Sequence, residues 1–525
     1  MVTATDIDQV LDINIEAALN LAVEQDGKTD EDAYHVLKDG IDRSRMHMER
    51  MTELFREIET ESEERLAAMT QELSERIQET ADKEKVLELK LRLTRRRTHE
   101  KIRQYRNQIW HRFLAAIPVA IMYARKTAAS VRNIYRRARK ISRLEPVSGR
   151  IDEKIEQYLS ETSQKISTLP YVYKRLFNIE PIADRRFFAG QENELEQLGD
   201  MYRTWLTDRK TTVVLVGERG SGKTSFLNIA MSDCFSGHSV IRTNMNNTIH
   251  TEQQLLSVLT EEFGISGPET LEELENQLTS STDDFICMVE NIHLLFIRTI
   301  TGFDLLERLM LFMQKTRSKV FWIMSSSLYA WQYLDKAVSL SSHFRKILSL
   351  KTQQQDQMST IILKRHRMSG YRIVYEIPQE LQRNRRFKKL KKERDRQAFI
   401  EQELFRDLAN VSAGNIRVAM LFWLTAIKKI DREQLVISAK IEFNPAFIYQ
   451  LPDEELFTLA AFTQHEIMDA EEHALIFNQD PLRSRLLLDS LFTRGLLQQQ
   501  PSGYHVHPFL YRPVVEALRS KQMLQ

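Results

Sequence analysis

The sequence predicts a parallel α/β sheet flanked by helical units, and three observations lead there. From about Tyr171 onward, short apolar runs alternate with helical stretches, the pattern of strands covered on both faces. One of these runs, Val213-Val214-Leu215-Val216, leads straight into a glycine-rich turn from Gly217 to Thr224 and then into a helix. Before residue 175 there is no strand-like alternation, only long charged stretches with helical spacing.

With 525 residues the chain is too long for one ordinary core, so three or four structural units are expected. The first, 1–175, reads as an all-α extension. Its apolar positions Met51, Phe55, Ile58, Leu66, Met69, Leu73 and Ile77, with Ser62 filling the missing step, recur at intervals of three and four. They form one face of a long helix, suited to a coiled coil or to packing within a bundle. Further on, Phe113 to Ala124 is apolar throughout and split by Pro118. As a helix it would reach about 18 Å, short of the roughly 30 Å of a bilayer core. It reads as a buried helix, or as an interfacial or partner-binding one.

Charge is strongly segregated. The segment 90–143 holds 17 Lys and Arg against Glu100 alone, hence +16, while the whole chain carries only +1. The remainder therefore carries −15, and the basic block must be solvated or meet a polyanion such as DNA or an anionic membrane surface. A hydrophobic content of 42% with 16 Gly and 12 Pro describes a folded, helix-rich chain. The only two cysteines, Cys234 and Cys287, lack metal-ligand spacing and suit a reducing compartment. The opening residues do not read as a signal peptide. A cytoplasmic location is expected, with a peripheral place at a membrane or nucleoid as the alternative.

The nucleotide-binding core is expected over 176–352, with strands at Thr212–Val216, Ser239–Thr243, Phe285–Val289, Val320–Ser325 and Ile347–Leu350. Its chemistry is concentrated in Gly217, Glu218, Arg219, Gly220, Ser221, Gly222, Lys223, Thr224 and the adjoining Ser225. The glycines allow successive backbone amides to turn inward and approach phosphate oxygens. Lys223 is placed to meet the β- and γ-phosphates of ATP, Thr224 to ligate Mg²⁺, and the helix N-terminus favours the negative charge. The run Phe285 to Val289 ends in Glu290-Asn291. Glu290 suits a metal-bound water, whereas Asn291 cannot accept a proton and so orients water without acting as a base.

This ordering resembles the AAA+ P-loop ATPases, in particular the origin-recognition and STAND-like branch with a C-terminal winged helix. The resemblance runs from about Asp184 to the end and begins with Arg186-Phe187-Phe188-Ala189-Gly190-Gln191-Glu192-Asn193-Glu194-Leu195, similar to the family's segment near adenine, with Gln191 where Arg is common. It implies a γ-phosphate sensor at Ser325 or Ser326, and an arginine finger at Arg345 that reaches a neighbouring subunit. It also implies a second sensor at Arg417 in the lid helix that follows Ser412-Ala413-Gly414-Asn415-Ile416.

A helical lid is expected over 353–440, in which 383–396 holds nine basic and two acidic residues. A winged helix-turn-helix is expected over 445–525, with a wing turning at Pro501-Ser502-Gly503. Residues 451–525 carry six Lys and Arg against ten Asp and Glu, a balance that favours a protein partner over DNA. The leading expectation is an α/β P-loop NTPase of AAA+ type: an ATPase with slow hydrolysis acting as an ATP-dependent switch or assembly factor. It would be homo-oligomeric or partnered through its winged helix and N-terminal helices. A non-hydrolysing scaffold, a DNA-associated loader or transposition regulator, and a membrane-recruited ATPase are the alternatives.

Overall fold

A computed structural model describes residues 4–24, 30–81, 159–178, 180–431, 434–441 and 443–524. The chain divides into one unit made of 1–45 with 151–525 and a second of 46–150. The basic segment 90–143 and the apolar stretch 113–124 lie outside the described residues. The described part of the second unit is the later portion of helix α2 (Asp30–Ala81). There Phe55, Ile58, Leu66 and Met69, members of the expected seam, are exposed.

The larger unit is built on five strands: β1 (Val213–Gly217), β2 (Val240–Asn244), β3 (Phe285–Glu290), β4 (Val320–Ser327) and β5 (Lys346–Leu350). All pair in parallel, in the order β2-β3-β4-β1-β5. Alternate residues serve opposite faces. Val213, Leu215, Ile286, Met288, Phe321 and Ile323 pack in one core with helices α4 (Glu192–Asp208) and α5 (Lys223–Asp233). Val214, Val216, Cys287, Val289, Trp322 and Met324 pack in another with α6 (Glu252–Phe263), α7 (Leu271–Ser280) and α8 (Asp304–Thr316). Burial on both faces explains the unbroken apolar runs, each such side chain contributing about 1.5–3 kcal/mol. β4 is followed directly by α9 (Leu328–Val338).

The lid contains α10 (Gln355–Met368), α11 (Glu393–Ser412) and α12 (Ile416–Ala426). Its core closes on Trp423, stacked on Phe405, with its indole N–H donating to Tyr173 Oη at 2.7 Å. Helix α1 (Ala4–Glu24) and the short α3 (Tyr171–Leu176) belong to the same core through Ile13, Ala17 and Tyr173. The expectation of a purely helical lid needs correction. It carries a three-stranded sheet, β6-β8-β7, from β6 (Arg372–Tyr375), β7 (Ile427–Ile430) and β8 (Gln434–Ile437). Strands of four residues are too short to show a period.

The C-terminal part has the winged-helix architecture: α13 (Asp453–His465), α14 (Ala470–Phe477), α15 (Pro481–Thr493), the hairpin β9 (Leu497–Gln500) with β10 (Gly503–Val506), and a closing helix α16 (Tyr511–Ser520). Its own core is formed by Leu456, Leu459, Leu488, Leu491, Val514 and Leu518.

Candidate functional site

Strand register gathers the site at one edge of the sheet. Gly217 stands beside Ser327 and Leu350, and Asn244 beside Glu290, so the segments after β1 and β3 open at the carboxyl ends of the strands. Between β1 and α5 the glycine loop turns in backbone conformations that only glycine adopts easily. Gly220 and Gly222 have φ of 79° and 94°. A Cβ on Gly220 would stand 2.7 Å from the Cβ of Arg417.

Two side chains from outside the loop fix it. Gln191 donates from Nε2 to the Ser221 carbonyl at 2.9 Å, and Asn415, the N-cap of α12, donates from Nδ2 to the Arg219 carbonyl at 2.8 Å. Ser225, the third residue of α5, accepts the Ile182 N–H at 2.9 Å and so ties down the entry segment. Glu218 turns its carboxylate to the winged helix, where Arg512 donates at 2.6 Å and Tyr329 of α9 at 3.0 Å.

Lys223 is buried, with Nζ donating to the carbonyls of Gly217 (3.0 Å) and Glu218 (3.2 Å). Burial lowers its pKa, against the pull of the Glu466 carboxylate. Arg417 lines the same cavity; its Nε is shielded and has no hydrogen-bond partner. Burial first, and then neighbouring Arg219, push the Arg417 pKa down to about 10. The hydroxyl of Ser221 is likewise buried and unpartnered. The cavity, of about 340 Å³, is lined by Arg219, Lys223, Arg365 and Arg417 against Glu180 and Glu466, together with Ile182, Phe187, Phe188, Ile361, Ile416 and Met420. Cations in excess, unpaired donors and an apolar part make a container for a polyanion bearing an apolar group.

The glycine loop joining a strand to a helix on a five-stranded parallel sheet makes this an α/β P-loop fold, with a winged helix beside it.

No protein-family model and no curated protein sequence matches the chain. Among solved structures, the Aeropyrum pernix ORC1 protein in complex with DNA is similar over 67% of this chain and 96% of its own, at 16% identity and a TM-score of 0.38. CDC6P from Pyrobaculum aerophilum matches 66% of this chain and 98% of its own, at 13% identity and a TM-score of 0.33. The Thermotoga maritima RuvB Holliday junction branch migration motor matches 64% and 95%, at 16% identity and a TM-score of 0.27.

The expected residues fall into two groups. Arg219, Gly220, Ser221, Gly222, Lys223, Thr224, Ser225, Asn291 and Arg417 line one cavity, whereas Gly217, Glu218, Glu290, Ser325 and Arg345 are not among its lining. Glu290 is buried, and its Oε1 accepts from Arg242 Nε of β2 at 2.8 Å, while Oε2 has no hydrogen-bond partner. Asn291 has φ 62°, and its amide donates to Asn244 Oδ1 (3.0 Å) and the Met245 carbonyl (3.2 Å). Ser325 lies behind it, accepting the Asn291 backbone N–H at 3.2 Å, and Ser326 donates to the Ser327 carbonyl. Arg345 sits just before β5, at the opposite end of the sheet from the loop, ion-paired with Asp208.

Sequence reasoning missed three participants. Arg242 has its partner 48 residues away, so no local spacing reveals it. His293, two residues beyond Asn291, is buried and lines the cavity. Glu466, the cap residue after α13, lines it as well. Nothing in the spacing of either residue marks it.

Proposed function

We propose that this chain is an ATP-binding P-loop ATPase that works as an ATP-dependent switch or assembly factor with slow hydrolysis. One observation carries the reading: Lys223, Arg219 and Arg417 converge on the glycine loop in one cavity, with the Arg417 Nε and Ser221 Oγ left unpartnered. Buried unpaired donors cost free energy that a phosphate chain would recover.

In this reading the loop amides, Lys223 and Arg417 hold the triphosphate, and the apolar residues around Phe188 and Ile361 receive the base. Thr224, in the cavity lining, is the group suited to ligate Mg²⁺, with Glu290 suited to meet it through a metal-bound water. A bound Mg²⁺ would supply charge neutralisation at the transferred phosphoryl group. The chain's own contribution is positioning and electrostatics, which dominate phosphoryl transfer. Two features slow the step. Asn291 offers no proton acceptor, and Arg242 already draws on the charge of Glu290.

The same two features support a second reading, a scaffold that binds ATP without hydrolysing it. Lys223→Ala tests the common ground. Titration with a fluorescent ATP analogue should show binding in the wild type and its loss in the variant, with an unchanged melting curve. Equal affinity in both would sink the proposal. Turnover of the wild type, measured as phosphate release over hours, separates the slow ATPase from the scaffold.

A further inference from the structure

The winged helix inserts an acid into the phosphate cradle. Glu466 follows α13 with φ 62° and ψ −42°, a conformation that costs a side-chain-bearing residue roughly 1–3 kcal/mol and that glycine would adopt more readily. Its backbone is held on both sides: the N–H donates to the Phe462 carbonyl at 2.9 Å, and the carbonyl accepts from Arg219 at 3.2 Å. The carboxylate thereby comes within 4.0 Å of Lys223 Nζ and 3.7 Å of His293 Nε2. His293 is oriented from behind, because the Ser327 N–H points at its Nδ1 at 3.3 Å. With Nδ1 accepting, the ring proton sits on Nε2, which presents a donor to the cavity.

The acid is present as an anion. Burial pushes its pKa up, but Lys223, His293 and Arg219 outweigh burial and hold it well below the usual carboxylate range. Yet Oε1 makes no hydrogen bond, and Lys223 spends two of its three donors on loop carbonyls. An ordinary buried ion pair would close to hydrogen-bond distance. This one is a charge held at a distance among groups that suit a larger anion.

We propose that Glu466 is a built-in competitor for the nucleotide. Its carboxylate and a phosphate group are alternative anions for Lys223 and for the Nε2–H of His293, and ATP enters fully only when the winged helix withdraws Glu466. The proposal rests on the nucleotide reading above and adds to it a regulatory contact and a new phosphate-binding residue, His293. The withdrawal would be felt across the domain, since Ile467 and Gln500 of the winged helix line the same cavity.

The experiment is titration of full-length protein with a fluorescent ATP analogue, in the wild type, Glu466→Gln and Glu466→Gln/Lys223→Ala, with urea stability measured in parallel. Glu466→Gln keeps the shape and removes the charge, so affinity should rise by about 5- to 150-fold, the usual range for coupled sites. The double variant should not bind. Adding His293→Ala to Glu466→Gln should weaken binding, and His293→Gln, which keeps an N–H, should recover part of the loss. Measurable wild-type binding with no gain in Glu466→Gln overturns the competitor and leaves the nucleotide site standing. Absence of binding in both wild type and Glu466→Gln overturns the competitor together with the nucleotide reading. A purely structural Glu466 would show a stability change with affinity unmoved, and that result also refutes the proposal.

Discussion

Arg512→Met probes the ion pair that joins the glycine loop to the winged helix. Arg512 donates to Glu218 Oε1 at 2.6 Å, and each side chain is only 6% exposed. Truncating the cation leaves a carboxylate buried beside a loop that must hold its shape. Removing one partner of a buried pair costs about 3–5 kcal/mol. The hydroxyl of Tyr329 still donates to the same oxygen at 3.0 Å, which places the expected loss near the lower end, at about 3 kcal/mol. Glu218→Gln leaves the Arg512 cation without its carboxylate but should cost less, because an amide oxygen can still accept from both Arg512 and Tyr329. The double variant Glu218→Gln/Arg512→Met contains neither charge. It should recover a large part of the single losses, with a coupling energy of about 2 kcal/mol, within the range for residues in contact. Urea unfolding followed by tryptophan fluorescence reads all four corners of the cycle. Single losses below about 0.5 kcal/mol that simply add would refute the reasoning, since an exposed or pre-broken pair behaves in that way.

Two further outcomes follow from the site and from the winged helix. Basal hydrolysis should be slow, should rise with protein concentration and should fall in Arg345→Ala, because Arg345 stands away from its own chain's cavity. Asn291→Glu should raise the rate toward the roughly 100-fold that a positioned base contributes; phosphate release indifferent to both substitutions means that neither residue is placed as argued. Acid should loosen the winged helix. His465, His473 and His505 are buried, and burial in each case lowers the pKa, to about 3, about 4 and about 3. The unfolded chain takes up these protons below about pH 6.5 while the fold refuses them until about pH 4 or lower. Stability therefore rises with pH across that window, by about 1.4 kcal/mol per pH unit per histidine. Urea midpoints that stay flat between pH 7 and pH 5 would exclude this.

The parts of the fold legible in the sequence are those where a local pattern and a global role coincide. Val213 to Val216 shows as an unbroken apolar run because a central parallel strand is buried on both faces. The glycine loop shows because its backbone conformations demand glycine at Gly220 and Gly222, and the wing shows because Pro501-Ser502-Gly503 can only turn. What escaped is long-range pairing between polar groups. Arg242 on Glu290, Asn415 on the Arg219 carbonyl and Arg512 on Glu218 each join segments far apart in the chain, and charge chemistry leaves no period in the sequence.

Glu466 shows what such pairing does to an inference from charge. The surplus of acid in 451–525 reads, from composition alone, as a surface unsuited to DNA and turned toward a protein partner. Glu466 instead faces Lys223, Arg219 and His293, while Glu454 and Glu455 are paired with Arg483 and Arg494 of the same domain. Part of the acidic balance is thus directed inward, at the basic cavity of the P-loop unit. A domain that complements the charge of the basic cavity beside it has a reason to be acidic that requires no outside partner. Composition reports how much charge a domain carries, whereas its function follows from which cations that charge faces.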